Sequence, residues 1–191
     1  MERNAEPFIV AAGGTEIHVP GLREEDIHLR DIAHALSNQC RFLGHCSSFY
    51  SVAQHSVFVM KLLEFSYCSQ SIQLAGLLHD AHEAYTGDFP APFKATVAGW
   101  RAFEDYVEKI VRRRFRLEPD AMQVAWAAVK EADTIALHFE AYHLFHGAKW
   151  YDKALVECVP EGMRFFSPLE PKRAKYEFLT YSALLGISQD L

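Results

Sequence analysis

No run of about 18 uncharged apolar residues occurs in this 191-residue chain, so no membrane-spanning helix is expected. No Cys-x-x-C pair occurs either. Cys40, Cys46, Cys68 and Cys158 stand far apart and read as reduced thiols rather than a disulfide frame. Positive charge is in deficit: 19 Lys and Arg face 25 Asp and Glu, a net charge of −6. That argues against a protein that coats duplex nucleic acid. It leaves room for a phosphorylated small molecule, provided the pocket holds a metal or a few cations. Residues Met1 to Pro7 carry no apolar stretch, so no signal peptide is expected and a cytoplasmic location is. Internal repeats, low-complexity tracts and linkers are absent, which makes residues 1–191 one domain. What is present is ordinary in bulk, with 50% apolar and 23% charged residues, and excludes a disordered chain. The unusual feature is histidine, ten of them, whose placement matters more than their number.

Two extended apolar runs, Phe8–Ala12 and Thr15–Val19, flank Gly13-Gly14 and predict a hairpin within residues 1–22. Pro20-Gly21 breaks the chain, and 23–191 reads as a helical body. A helix is predicted over about Glu24–Asn38 from Ile27, Ile32, Ala33 and Leu36. Arg41–Tyr50 reads as a loop. Ser51 and Ser69 are candidate N-caps for the next two helices. Asp88-Phe89-Pro90-Ala91-Pro92 reads as a break. Trp100–Leu117 is amphipathic, with Phe103, Val107, Ile110, Val111 and Phe115 as its stripe. A long helix is predicted from Pro119 to about His146, ended by Gly147, and a last one from Pro171 or Lys172 to Leu185, ended by Gly186. The expected fold is a compact all-α bundle with a short N-terminal β-hairpin.

The chemistry centres on His79-Asp80, at the end of the apolar run Leu74–Leu78. An imidazole and a carboxylate are costly to bury unless something pairs with them. A divalent ion satisfies both, through imidazole nitrogen and carboxylate oxygen. His55 lies on the preceding helix and Asp133 within the long one, so three helices can close two histidines and two aspartates around one ion. Open coordination positions would hold water, which such an ion acidifies. Glu83 follows His79 by four and Asp80 by three. If the turn stays helical it shares their face and can move protons.

The order His55, His79-Asp80, Asp133 resembles the HD-domain metal phosphohydrolases. Further likeness lies in Arg41-Phe42, Tyr50–Ser56, His79–Glu83 and Thr86–Lys94, which together resemble the bacterial 5′-deoxynucleotidases of that superfamily and the small phage enzymes that strip triphosphate from dATP. The likeness spans about Ile27 to Leu137 and implies an all-α HD-domain fold. It implies His55, His79, Asp80 and Asp133 as ligands of one divalent ion, whether zinc, cobalt, manganese or iron. It further implies Glu83 as the carboxylate assisting the attacking water, Arg41 as the residue holding phosphate, Asp88 as a second functional acid and Lys94 as a phosphate contact. Phe42 stands where the deoxynucleotidases often have tryptophan beside the deoxyribose, which puts sugar or base selectivity in question. The resemblance also implies a homo-oligomer.

Dinuclear branches carry extra histidines between the HD pair and the last aspartate. None occurs from Glu83 to Asp133, which favours a mononuclear site. Glu83-Ala84 replaces the Glu-Asp of the guanosine-tetraphosphate branch, and the Gly-Tyr-Pro of the cyclic-dinucleotide branch is absent. Other candidates have blander readings. His45, in the loop after Arg41, is a candidate substrate contact. His34 reads as a hydrogen-bonded helix histidine and His82 as lying on the outer face of its turn. Arg112–Arg114 reads as a solvated face, and Phe139, Tyr142 and Phe145 as core or interface. The expected activity is hydrolysis at the 5′ phosphate end of a deoxyribonucleotide, releasing phosphate from a monophosphate or triphosphate from a deoxynucleoside triphosphate. The rival reading is a non-catalytic module that senses nucleotide or metal.

Overall fold

The structure, a computed structural model, describes residues 7–18, 21–117, 123–147, 149–164 and 167–188. The hairpin pairs β1 (Phe8–Val10) with β2 (Glu16–His18) antiparallel, with Ile9 opposite Ile17. Its turn places Gly14 at φ 88°. The Gly13 N–H donates to Asp31 Oδ1 at 2.6 Å, and Ile17 is fully buried, so the hairpin is anchored to the helical body. Val19, Pro20 and residues 1–6 lie outside the described residues.

The first predicted helix is divided. Glu24–Asp26 forms a 3-10 turn, Ile27 and His28 are extended, and α1 spans Leu29–Asn38. The break sends the Ile27 side chain into the core, where it is fully buried. Helix α2 (Val52–Phe65) starts at Ser51, whose hydroxyl accepts the Gln54 N–H at 3.1 Å, as the N-cap reading expects. Helix α3 (Gln70–Leu77) starts after Ser69, but that hydroxyl pairs with Ser71 instead of capping. Helix α3 ends at Leu77, and the HD pair sits in the hydrogen-bonded turn before α4 (Glu83–Thr86). A single helix therefore does not run from His79 through Glu83.

The proline-rich break contains one short helix, α5 (Ala91–Lys94), with Pro92 in its first turn, where a missing N–H costs nothing. Helix α6 (Trp100–Arg114) buries Val107, Ile110 and Val111, followed by buried Phe115. Helix α7 (Gln123–Leu144) is the long one; its predicted start at Pro119 lies outside the described residues. A short α8 (Lys153–Glu157) went unread in the sequence, and α9 (Pro171–Leu184) matches its prediction. The fold is thus mostly helical with a two-stranded hairpin.

Two apolar cores share α2. One joins Val57 and Met60 to α1, α6, α9 and the hairpin; the other joins Val59, Leu62 and Leu63 to Ala75, Val129, Ala136 and Phe139. Helices α2 and α3 meet closely at Gly76, where a Cβ would stand 2.3 Å from Leu63 Cδ1. No described helix is long and apolar enough to cross a membrane.

Candidate metal centre

His55 projects from α2, His79 and Asp80 from the turn after α3, and Asp133 from α7. The structure brings His55, His79 and Asp80 together as one group and sets Asp133 beside the two histidines. His55 Nε2 lies 3.3 Å from His79 Nε2 and 3.5 Å from Asp80 Oδ2. His79 Nε2 lies 3.1 Å from the same oxygen. Asp133 Oδ1 stands 3.2 Å from His55 Nε2 and 3.8 Å from His79 Nε2. Adjacent ligand atoms bound at 2.0–2.2 Å to one ion lie about 2.8–3.6 Å apart in tetrahedral or octahedral geometry, so the spacing of His55, His79 and Asp80 suits a shared cation.

The far side of each ring sets which nitrogen faces inward. His79 Nδ1 lies 2.8 Å from the Gly76 carbonyl, which only accepts, so Nδ1 carries a proton and Nε2 faces the centre. His55 Nδ1 lies 2.7 Å from Glu140 Oε1, the carboxylate–imidazole support common behind metal ligands. The two Nε2 atoms, 3.3 Å apart, need either a proton or a cation between them. These donors fit a divalent ion.

Electrostatics divide the carboxylates. Burial alone would raise Asp80 and Asp133, but His79 outweighs it at Asp80, and His55 with His79 at Asp133, holding both below the ordinary carboxylate range. Burial likewise opposes Glu140, which the nearby His55 and Arg41 keep ionised. Glu83 behaves in the opposite sense. It is 4% exposed, and burial, then Asp80 and Asp88, push it well above the ordinary range. Its Oε2 has no hydrogen-bond partner among the described residues. Asp88 is raised by burial too, with Arg41 opposing.

Arg41 is buried. Its Nε donates to Glu140 Oε2 at 3.2 Å and its Nη1 stands 3.7 Å from Asp80 Oδ2. Lys94 pairs closely with Glu104 on α6 and stands 3.6 Å from Glu83 Oε1. Phe42 sits beneath the Arg41 guanidinium, 5.2 Å from its ring centre, in a turn where Phe42, Leu43 and Gly44 all have positive φ. His45 is exposed at the end of that turn and joins none of these contacts; its N–H donates to the Phe42 carbonyl.

Three further residues take part without having been singled out in the sequence. Glu140 is fully buried and accepts from His55, Arg41 and the Tyr50 hydroxyl, the last at 2.9 Å. Its signal was present: Glu140 follows Asp133 by seven, two helical turns along one face. Tyr50 opened the Tyr50–Ser56 segment without a role of its own, and Glu104 had no signal. His82, read as outward-facing, is instead buried and 3.5 Å from Glu104, because the turn after α3 swings it against α6. The arginine run is not wholly solvated either: Arg112 stacks on Trp126 at 3.9 Å and Arg114 donates to the Ile27 carbonyl. Phe139 belongs to the core and Tyr142 is exposed.

No protein-family model matches the chain. It is 35% identical over 175 residues to the uncharacterized protein YfdR of Escherichia coli (strain K12), an alignment covering 90% of this chain and 92% of that protein. It is also 37% identical over 123 residues to an uncharacterized protein of Rhodobacter capsulatus, covering 61% of this chain and 62% of the other. Neither name states an activity. At that identity and near-complete coverage of both chains, this protein belongs to the family of YfdR.

Proposed function

We propose that this chain is a metal-dependent phosphohydrolase of the HD type that acts on the 5′ phosphate end of deoxyribonucleotides. The observation that carries the reading is the convergence of two imidazole Nε2 atoms and two carboxylates, each imidazole 3.1–3.8 Å from both Asp80 and Asp133, with Nδ1 held from behind. When bound, a divalent cation would neutralise phosphoryl oxygens and lower the pKa of water. Asp80, Asp133 and Glu140 already engage the nearby cations Arg41 and Lys130, so an anionic substrate needs that added charge.

The chain's own groups divide the remaining work. Arg41 is oriented by Glu140 and meets one phosphoryl oxygen with the rest of its fork. Lys94, bridging Glu83 and Glu104, offers a second contact to phosphate. Glu83 Oε2 is the atom that holds or takes up a proton as water adds to phosphorus and the bond to the leaving oxygen breaks. Asp88 is the second acid beside the substrate. A homo-oligomer belongs to the same reading, by resemblance.

A product assay tests it. The protein is loaded in turn with manganese, cobalt, zinc or magnesium and offered each deoxynucleoside mono- and triphosphate beside its ribonucleotide. Nucleoside with intact triphosphate identifies a triphosphohydrolase; phosphate from monophosphates alone identifies a 5′-deoxynucleotidase. Absence of product with every ion overturns the proposal and leaves the sensing module.

A further inference from the structure

Beyond the phosphate end, we infer that Trp150 and Phe145 extend Phe42 into an aromatic platform that binds the base of the nucleotide. This rests on the proposed site. Arg41 links the two regions, with Nη1 3.7 Å from Asp80 and its guanidinium over the Phe42 ring. From Phe42 the rings continue outward. Phe145 meets it edge-on at 5.1 Å and Trp150 lies 6.5 Å away. Phe145 and His138 back the indole at 5.9 and 6.2 Å. Trp150 is nevertheless 50% exposed, so rings support part of the indole and solvent meets the rest.

An exposed tryptophan backed by other rings has already lost much of its rotamer freedom, so stacking on it costs little further ordering. The backbone holds the assembly too. The Ser47 N–H donates to the Leu144 carbonyl and ties the turn bearing Phe42 to the end of α7. The Asp152 N–H donates to His138 Nδ1 at 2.8 Å and ties the segment bearing Trp150 to the same helix. A planar heterocycle is the occupant this surface fits, because a phosphate held at Arg41 directs the rest of a nucleotide along the rings that begin at Phe42. Stacking tolerates any base, so the platform contributes affinity and favours the larger purine face.

Nucleosides test the platform apart from hydrolysis, since they carry no phosphate to release. Titrating 2′-deoxyadenosine into the full-length protein should give saturable quenching of tryptophan emission, and 2-deoxyribose should give none. Trp150→Phe should abolish the quenching while equilibrium dialysis still detects the nucleoside. Trp150→Ala should weaken binding about ten-fold or more. Affinity unchanged in Trp150→Ala, or quenching retained by Trp150→Phe, overturns the platform. Trp150-dependent nucleoside binding without hydrolysis of any nucleotide sinks the phosphohydrolase reading and keeps the platform. Hydrolysis with Trp150-independent binding does the reverse.

Discussion

At Glu140 one buried carboxylate meets three donors, His55 Nδ1, Arg41 Nε and the Tyr50 hydroxyl. A carboxylate fully removed from water needs such compensation. Glu140→Gln keeps the shape but removes the charge and one of two acceptor oxygens, so the amide can no longer serve both Arg41 and His55. Metal affinity should fall about 10- to 100-fold. Stability should fall by ~3–5 kcal/mol. Calorimetric metal titration and urea denaturation measure the two, and unchanged metal affinity would remove Glu140 from the support of the centre. Two neighbours separate binding from chemistry. Asp80→Ala should lose bound metal and turnover together. Glu83→Gln should retain metal, read by elemental analysis, and lose turnover; near-normal kcat would take Glu83 out of the mechanism. The proposed ligands His55, His79, Asp80 and Asp133 were legible in the sequence because their chemistry is uncommon in apolar helices. Glu140 shares a helix face with Asp133 but was passed over, because a carboxylate on a long helix has the composition of a solvated one.

Elements position these groups through short connections. Between α4 and α5 the chain turns at Gly87, with φ 82° and ψ 153°, a region essentially reserved for glycine. That turn separates Glu83 from Asp88 and lets the chain enter α5, which carries Lys94. Gly87→Ala should cost about 1–3 kcal/mol in urea denaturation. It should also lower turnover more than it lowers metal binding, because the proposed metal ligands lie on other elements; an equal loss of both would mean that the turn supports the whole centre. The dipeptide His79-Asp80 was legible, but the break after Leu77 was not. Helical spacing placed Glu83 one turn beyond Asp80, whereas the chain uses a separate turn that buries His82 against Glu104. Local periodicity carries no information on that choice, which packing against α6 makes.

In the whole molecule, α9 closes the bundle near the end of the chain. Phe178 is fully buried in the core that unites α1, α2, α6 and the hairpin. Phe178→Ala should cost ~3–5 kcal/mol through the cavity left behind. Because α2 belongs to both cores, unfolding should remain one transition, coincident by far-ultraviolet dichroism and tryptophan fluorescence; two separated transitions would show that the cores fold independently. The sequence by itself determined the helical class, the amphipathic stripe of α6, the hairpin at Gly13-Gly14 and the residue types of the candidate metal centre. Each of these is written in neighbours a few positions apart, where side-chain period and backbone preference act. Only the tertiary structure decided that Glu140 stands behind His55, that Glu104 holds Lys94, and that Phe42, Phe145 and Trp150 share one wall. His55 and Glu140 are separated by 85 residues. A contact at that distance along the chain exists only once α2 and α7 have packed, and no local preference of either segment encodes it.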